Sequence, residues 1–125
     1  MIVLDSSALL ALLFCESGHE QVGSHLHSSC MSTVNLAEVL SRYRRLGKDA
    51  QGLLSLLGQS AIEFIPFSAA AAGDSACLLA AVQHLGLSLG DRVCLALARR
   101  RQLPVLTADR VWAQLDVGIE IRLIR

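Results

Sequence analysis

Apolar positions along the chain fall into short blocks, and the blocks alternate between two periodicities. The first, Met1-Ile2-Val3-Leu4, shows no polar alternation and stops at Asp5-Ser6-Ser7. That predicts a strand covered on both faces, with Asp5 at its end. Ala8 to Phe14 reads as a short buried helix halted near Ser17-Gly18, and His19 to Ser28 as a polar one. Cys30 to Val34 is the second predicted strand. Asn35 is placed as the cap of a helix whose apolar residues Leu36, Val39, Leu40, Tyr43 and Leu46 share one face and which Gly47 closes. Asp49 to Leu57 follows as another helix. Ile62, Phe64, Ile65 and Phe67 around Pro66 predict a third strand, and Ser68 caps a long alanine-rich helix ending at His84 to Gly86. After the link Gly86-Leu87-Ser88-Leu89-Gly90, a helix over Asp91 to Arg101 leads through Pro104 into the strand Val105-Leu106-Thr107. A short helical turn around Trp112 and a last strand, Ile119 to Ile124, complete the chain.

Strands alternating with helices at this spacing predict an α/β sandwich around a mainly parallel sheet of about five strands. With 125 residues, no internal repeat and no linker, residues 1–125 are expected to form one domain. Hydrophobic residues make up 53% of the chain, more than a monomer of this size comfortably hides, which predicts a partner surface. The net charge of zero excludes a global field for nucleic acid, so any such contact has to use local patches. Cys15, Cys30, Cys77 and Cys94 stand far apart without a C-x-x-C pair, and are expected to be reduced and mostly buried. The stretch Ala8 to Phe14 follows an acid and lacks the basic lead-in of a signal peptide, and no run is long enough to span a bilayer. A cytoplasmic protein with no membrane contact is expected.

The carboxylates change this picture. Asp5 ends the first strand, Glu38 lies in the first turn of the helix after the second, Asp91 opens the helix after Gly90, and Asp109 follows the fourth strand. In a parallel α/β sheet all four positions fall on the carboxyl edge, where ligands collect. Two like charges about 4 Å apart repel by roughly 4 kcal/mol at an effective dielectric near 20, so such a cluster calls for a cation. Hard oxygens without imidazole or thiolate suit Mg²⁺ or Mn²⁺. Such an ion activates water and offsets charge on phosphate oxygens, the chemistry of phosphodiester hydrolysis. Ser7, Ser88 and Thr107 stand close enough in sequence to orient carboxylates or water.

Each acid also has an ordinary structural role open to it. Asp5 suits the cap of the first helix, Glu38 an i, i+4 pair with Arg42, and Asp109 the cap of the turn around Trp112. Asp91 lines up with Cys94, Leu95 and Ala98 along the buried stripe of its own helix, a direction that capping does not explain. Glu16, Glu20, Asp49, Glu63, Asp74, Asp116 and Glu120 read as solvated or capping residues.

Four segments together resemble a known family. Ile2 to Ser7, Ser32-Thr33-Val34-Asn35-Leu36-Ala37-Glu38-Val39, Leu87-Ser88-Leu89-Gly90-Asp91-Arg92 and Val105-Leu106-Thr107-Ala108-Asp109 look like the successive acidic motifs of PIN-domain proteins, in order along the whole chain. In length the chain is most similar to the VapC toxins of toxin–antitoxin pairs. The resemblance implies a three-layer α/β/α sandwich, a Mg²⁺- or Mn²⁺-dependent endoribonuclease acting on structured RNA, a homodimer, and a small antitoxin protein that fills the active groove. Asp5, Glu38, Asp91 and Asp109 occupy the family's acidic positions, and Ser7 and Thr107 its hydroxyl positions. A non-catalytic PIN-like module that binds RNA or protein is the competing expectation.

Arg42, Arg44, Arg45 and Lys48 form one basic cluster and Arg99-Arg100-Arg101 another, both near helix C-termini, where cations suit the helix dipole. Arg42 shares a face with Glu38 and so has a reason to reach a substrate phosphate. With aromatics at 4%, recognition of RNA by shape is expected over base stacking. Gly86-Leu87-Ser88-Leu89-Gly90 matches the G-x-S-x-G pattern of hydrolases, but a helix precedes it and no histidine follows. His19, His25 and His27 read as solvated, because residues two apart diverge on a helix.

Overall fold

A computed structural model describes all residues, 1–125. Five short strands build the frame: β1 (Ile2–Leu4), β2 (Ser29–Ser32), β3 (Glu63–Ile65), β4 (Val105–Thr107) and β5 (Ile121–Leu123). They form one sheet in the order β3-β2-β1-β4-β5, and every neighbouring pair is parallel. Seven helices connect them: α1 (Ser6–Leu13), α2 (His19–His25), α3 (Thr33–Arg45), α4 (Ala50–Gly58), α5 (Ala69–Cys77), α6 (Leu79–Val82) and α7 (Leu89–Arg101).

The alternation of β1 divides the core in two. Ile2 and Leu4 face one side, where Met31, Leu106 and Ile124 join residues of α1 to α4. Val3 faces the other with Cys30 and Val105, against Leu78, Cys94, Leu95 and Ala98 and the fully buried Trp112. The result is the three-layer α/β/α sandwich, and β1 is buried because helices cover both its faces. No helix is long and apolar enough to cross a membrane.

Several boundaries differ from the expectations, each for a local reason. Helix α3 is capped by Ser32, whose hydroxyl accepts from the Val34 N–H at 3.2 Å, so Asn35 lies inside the helix and Glu38 in its second turn. The alanine-rich helix breaks into α5, α6 and a 3₁₀ turn over 83–85, closed by Gly86 at φ 69°. Helix α7 starts at Leu89 under the cap of Ser88, which places Asp91 at its third residue rather than at its opening. At Gly18, φ is 93° and a side chain would run into the Ile124 carbonyl, so a residue without Cβ lets the end of β5 close on the α1–α2 turn. Of the four free thiols only Cys30 and Cys94 are buried, while Cys15 and Cys77 are exposed.

Candidate active site

The topology makes a crevice at β1. Strands β2 and β3 extend from one side of it and β4 and β5 from the other, so the strand order reverses beside β1, where open α/β sheets bind ligands. The β1–β4 register pairs Leu4 with Leu106, which brings the next residues, Asp5 and Thr107, together at the carboxyl edge. Thr107 is fully buried and donates its hydroxyl to Asp5 Oδ2 at 2.9 Å. Ser7 donates to the same oxygen at 2.6 Å and accepts the Ala108 N–H at 2.9 Å, stitching the start of α1 to the end of β4. Asp5 is 4% exposed. Burial pushes its carboxyl up to about 6, against the hydrogen bonds from Ser7 and Thr107, with the charge of Asp91 adding to the rise.

The other three acids are held from different directions. Asp91 closes a capping box: its N–H reaches Ser88 Oγ at 3.2 Å, and the Ser88 N–H donates to Asp91 Oδ2 at 2.9 Å. Burial also raises its carboxyl above the ordinary range, partly offset by these Ser88 bonds and reinforced by the charges of Glu38 and Asp109. Asp109 caps the 3₁₀ turn after β4, its Oδ1 accepting the Val111 N–H at 3.1 Å. Glu38 makes no ion pair with Arg42. Its Oε1 instead accepts from Ser6 Oγ at 2.5 Å and from Asn35 Nδ2 at 2.8 Å.

Asp5, Glu38, Asp91 and Asp109 line one open cavity of about 260 Å³, together with Ser6 and Ser7. The four carboxylates expected from the sequence therefore line one cavity, and at Asp91 and Asp109 a place on its wall coexists with capping. Each is held by one oxygen, Asp5 by Oδ2, Glu38 by Oε1, Asp91 by Oδ2 and Asp109 by Oδ1, with the second oxygen outside these bonds. No three of them stand close enough to close a ready-made cage around one ion. The donor set still fits Mg²⁺ or Mn²⁺: it is all hard oxygen, and Mg²⁺ is normally held through one or two carboxylates with waters completing the shell. Ser88 does not line the cavity. It acts on Asp91 through its backbone N–H while its hydroxyl is spent on the cap.

Arg42 and Arg45 also line the cavity, one and two turns along α3 from Glu38, and neither has a carboxylate partner. Two of the three arginines of the second basic cluster are committed elsewhere: Arg100 grips Asp74 with two nitrogens and Arg101 pairs with Glu63 at 3.7 Å. Ser6, Asn35, Gly90 and Arg45 were not anticipated. For Asn35 a signal existed, since Ser32 is as good a cap as asparagine and stands three residues earlier, which frees the amide.

A PIN domain profile matches residues 2–118. Among curated protein sequences, none matches significantly. Similar solved structures include a toxin–antitoxin complex from Klebsiella pneumoniae, at 19% identity over 100% of this chain and 98% of that one, TM-score 0.75. Another is Mycobacterium tuberculosis VapC20, described as a sarcin–ricin-loop-cleaving toxin, at 16% identity over 96% and 99% of the two chains, TM-score 0.75. VapBC-5 of the same organism, a member of the VapBC family of toxin–antitoxin systems, shares 28% identity over 99% and 97%, TM-score 0.61.

Proposed function

The chain belongs to the PIN-domain family, and on that premise we propose that it is a divalent-metal-dependent endoribonuclease, the toxin of a toxin–antitoxin pair working in the cytoplasm. The observation that carries this reading is the shared cavity of Asp5, Glu38, Asp91 and Asp109, each with an oxygen to spare and Asp5 almost wholly buried. A fold that gathers four carboxylates and raises the Asp5 carboxyl to about 6 gives up stability unless a cation occupies the space between them.

These four residues would hold Mg²⁺ or Mn²⁺, which supplies an activated water and offsets charge on the phosphate oxygens. The chain's own groups do the rest. Ser7 and Thr107 fix the Asp5 carboxylate, and Ser88 fixes that of Asp91. Arg42, unpaired at the cavity wall, receives a substrate phosphate and brings the scissile bond to the acids. Structured RNA is the substrate class, supported by the M. tuberculosis relative described as cleaving the sarcin–ricin loop and by the scarcity of aromatic side chains for stacking. An antitoxin and a second copy of the chain are the partners. Exposed Leu46, just after α3, and Leu54 and Leu56 on α4 supply apolar surface for such contacts.

The test is cleavage of end-labelled structured RNA by the purified chain with Mg²⁺, with Mn²⁺ and with EDTA. Cleavage is expected with either metal, none with EDTA, and loss of at least a hundredfold in Asp5→Asn and Asp91→Asn with unchanged circular dichroism. RNA binding without cleavage in wild type would overturn the nuclease reading in favour of a non-catalytic module.

A further inference from the structure

Glu38 differs from its three companions in how it is presented. Asp5, Asp91 and Asp109 are short side chains anchored at helix starts, whereas Glu38 is a longer one in the second turn of α3 at an exposed position. Left alone it would sample several rotamers, and ordering it costs free energy.

Three features of the chain hold it. Ser6 at the start of α1 donates to Oε1 at 2.5 Å, and Asn35, three residues earlier on α3 and fully buried, donates to the same oxygen at 2.8 Å. The second hydrogen of the Asn35 amide goes to the Gly90 carbonyl at 3.0 Å. Both partners are acceptors, so the amide nitrogen has to face them, and Asn35 Oδ1 is left buried without a partner. That arrangement sacrifices a hydrogen bond to keep two donors aimed at Glu38 and Gly90.

Gly90 completes the arrangement by what it lacks. A Cβ there would lie 2.5 Å from the Glu38 carboxyl carbon and 2.7 Å from Oε1, and closer still to Oε2. Gly90 sits in the first turn of α7, where alanine favours a helix far more than glycine does. The missing methyl is the space the Glu38 carboxylate occupies. The same contact ties Glu38 to the helix that carries Asp91, so the two acids keep a common frame.

We infer that Asn35 and Gly90, with Ser6, are positioning residues that fix Glu38 by Oε1 and leave Oε2 for the divalent ion, an inference that rests on the metal-dependent reading above. Their role is separable from general stability, because Gly90→Ala should help the helix while displacing the carboxylate.

The experiment measures Mn²⁺ affinity by electron paramagnetic resonance, alongside the thermal midpoint, for wild type, Gly90→Ala, Ser6→Ala, Gly73→Ala, Glu38→Ala and the Gly90→Ala and Ser6→Ala variants in the Glu38→Ala background. Gly90→Ala is expected to weaken Mn²⁺ binding roughly tenfold to a hundredfold with an unchanged or higher thermal midpoint. Ser6→Ala should weaken it several-fold. Gly73→Ala, whose Cβ meets nothing within 4 Å, should leave it unchanged. In the Glu38→Ala background neither Gly90→Ala nor Ser6→Ala should cause further loss. Wild-type affinity in both Gly90→Ala and Ser6→Ala, or the same losses without Glu38, would overturn the inference while leaving the metal-dependent reading standing. Wild type that binds no Mn²⁺ would overturn both.

Discussion

Asp5 concentrates the conflict between stability and chemistry at the scale of one residue. The strand that ends there was legible as an apolar run meeting a carboxylate, and Ser7 followed from the Asp-x-Ser spacing. That Thr107 donates to the same oxygen, a hundred residues away, depends on the β1–β4 register. Burial raises the Asp5 carboxyl from 3.8 to about 6, so between those values the folded state binds more protons than the unfolded one and stability falls as pH rises. For the metal-free protein in EDTA, this residue should cost roughly 2 kcal/mol of unfolding free energy on going from about pH 4 to pH 7. Asp5→Asn should therefore unfold at higher denaturant than wild type at pH 7 in EDTA, with the gap closing as pH is lowered. Saturating Mg²⁺ should reverse the order, and identical urea midpoints across the pH range would show that the protein itself compensates the buried charge.

Helix α3 shows what an element adds to its residues. Its apolar face was legible from Leu36, Val39, Leu40 and Tyr43, and its start was misplaced because three capping types, Ser32, Thr33 and Asn35, stand within four positions. Spaced i, i+4 and i+7 on this helix, Glu38, Arg42 and Arg45 form one line out of the acidic cavity. Glu38 is held by Ser6 and Asn35 rather than by Arg42, so both arginines stay available to phosphate. We expect Arg42→Ala and Arg45→Ala, each made in the cleavage-deficient Asp5→Asn background, to weaken RNA binding and to flatten the plot of log affinity against log salt by about 0.7 to 0.9 each. Filter binding over a salt series checks this, and an unchanged slope would assign both arginines to the solvated face. The alanine-rich stretch is the opposite case: alanine favours helix everywhere, so periodicity there marks no end, and the structure breaks the helix at the fully buried Leu78.

At the scale of the whole molecule, five three- or four-residue strands carry the sheet, and its stability comes from helices closing both faces. Leu106 of β4 is fully buried beside Ile2 and Leu4, next to the residue that holds Asp5. Leu106→Ala should lower unfolding free energy by about 2 to 5 kcal/mol, readable as a lower urea midpoint with an unchanged slope; a loss under 1 kcal/mol, about the scale of a volume-conserving swap, would mean this core is not close-packed. Local pattern determined much of this protein: strands without polar alternation imply covered faces, their alternation with helices implies a parallel sheet, and carboxylates at strand ends fall on its carboxyl edge. Those features depend only on neighbouring residues, which is why they are legible in one dimension. Tertiary structure alone decided that Ser6 and Asn35 grip Glu38, that the absent side chain of Gly90 makes room for it, and that Arg100 and Arg101 are committed to Asp74 and Glu63 while Arg42 and Arg45 are not. Most of these are contacts between elements distant in sequence, fixed by how the helices lie on the sheet, and no short-range periodicity encodes that placement.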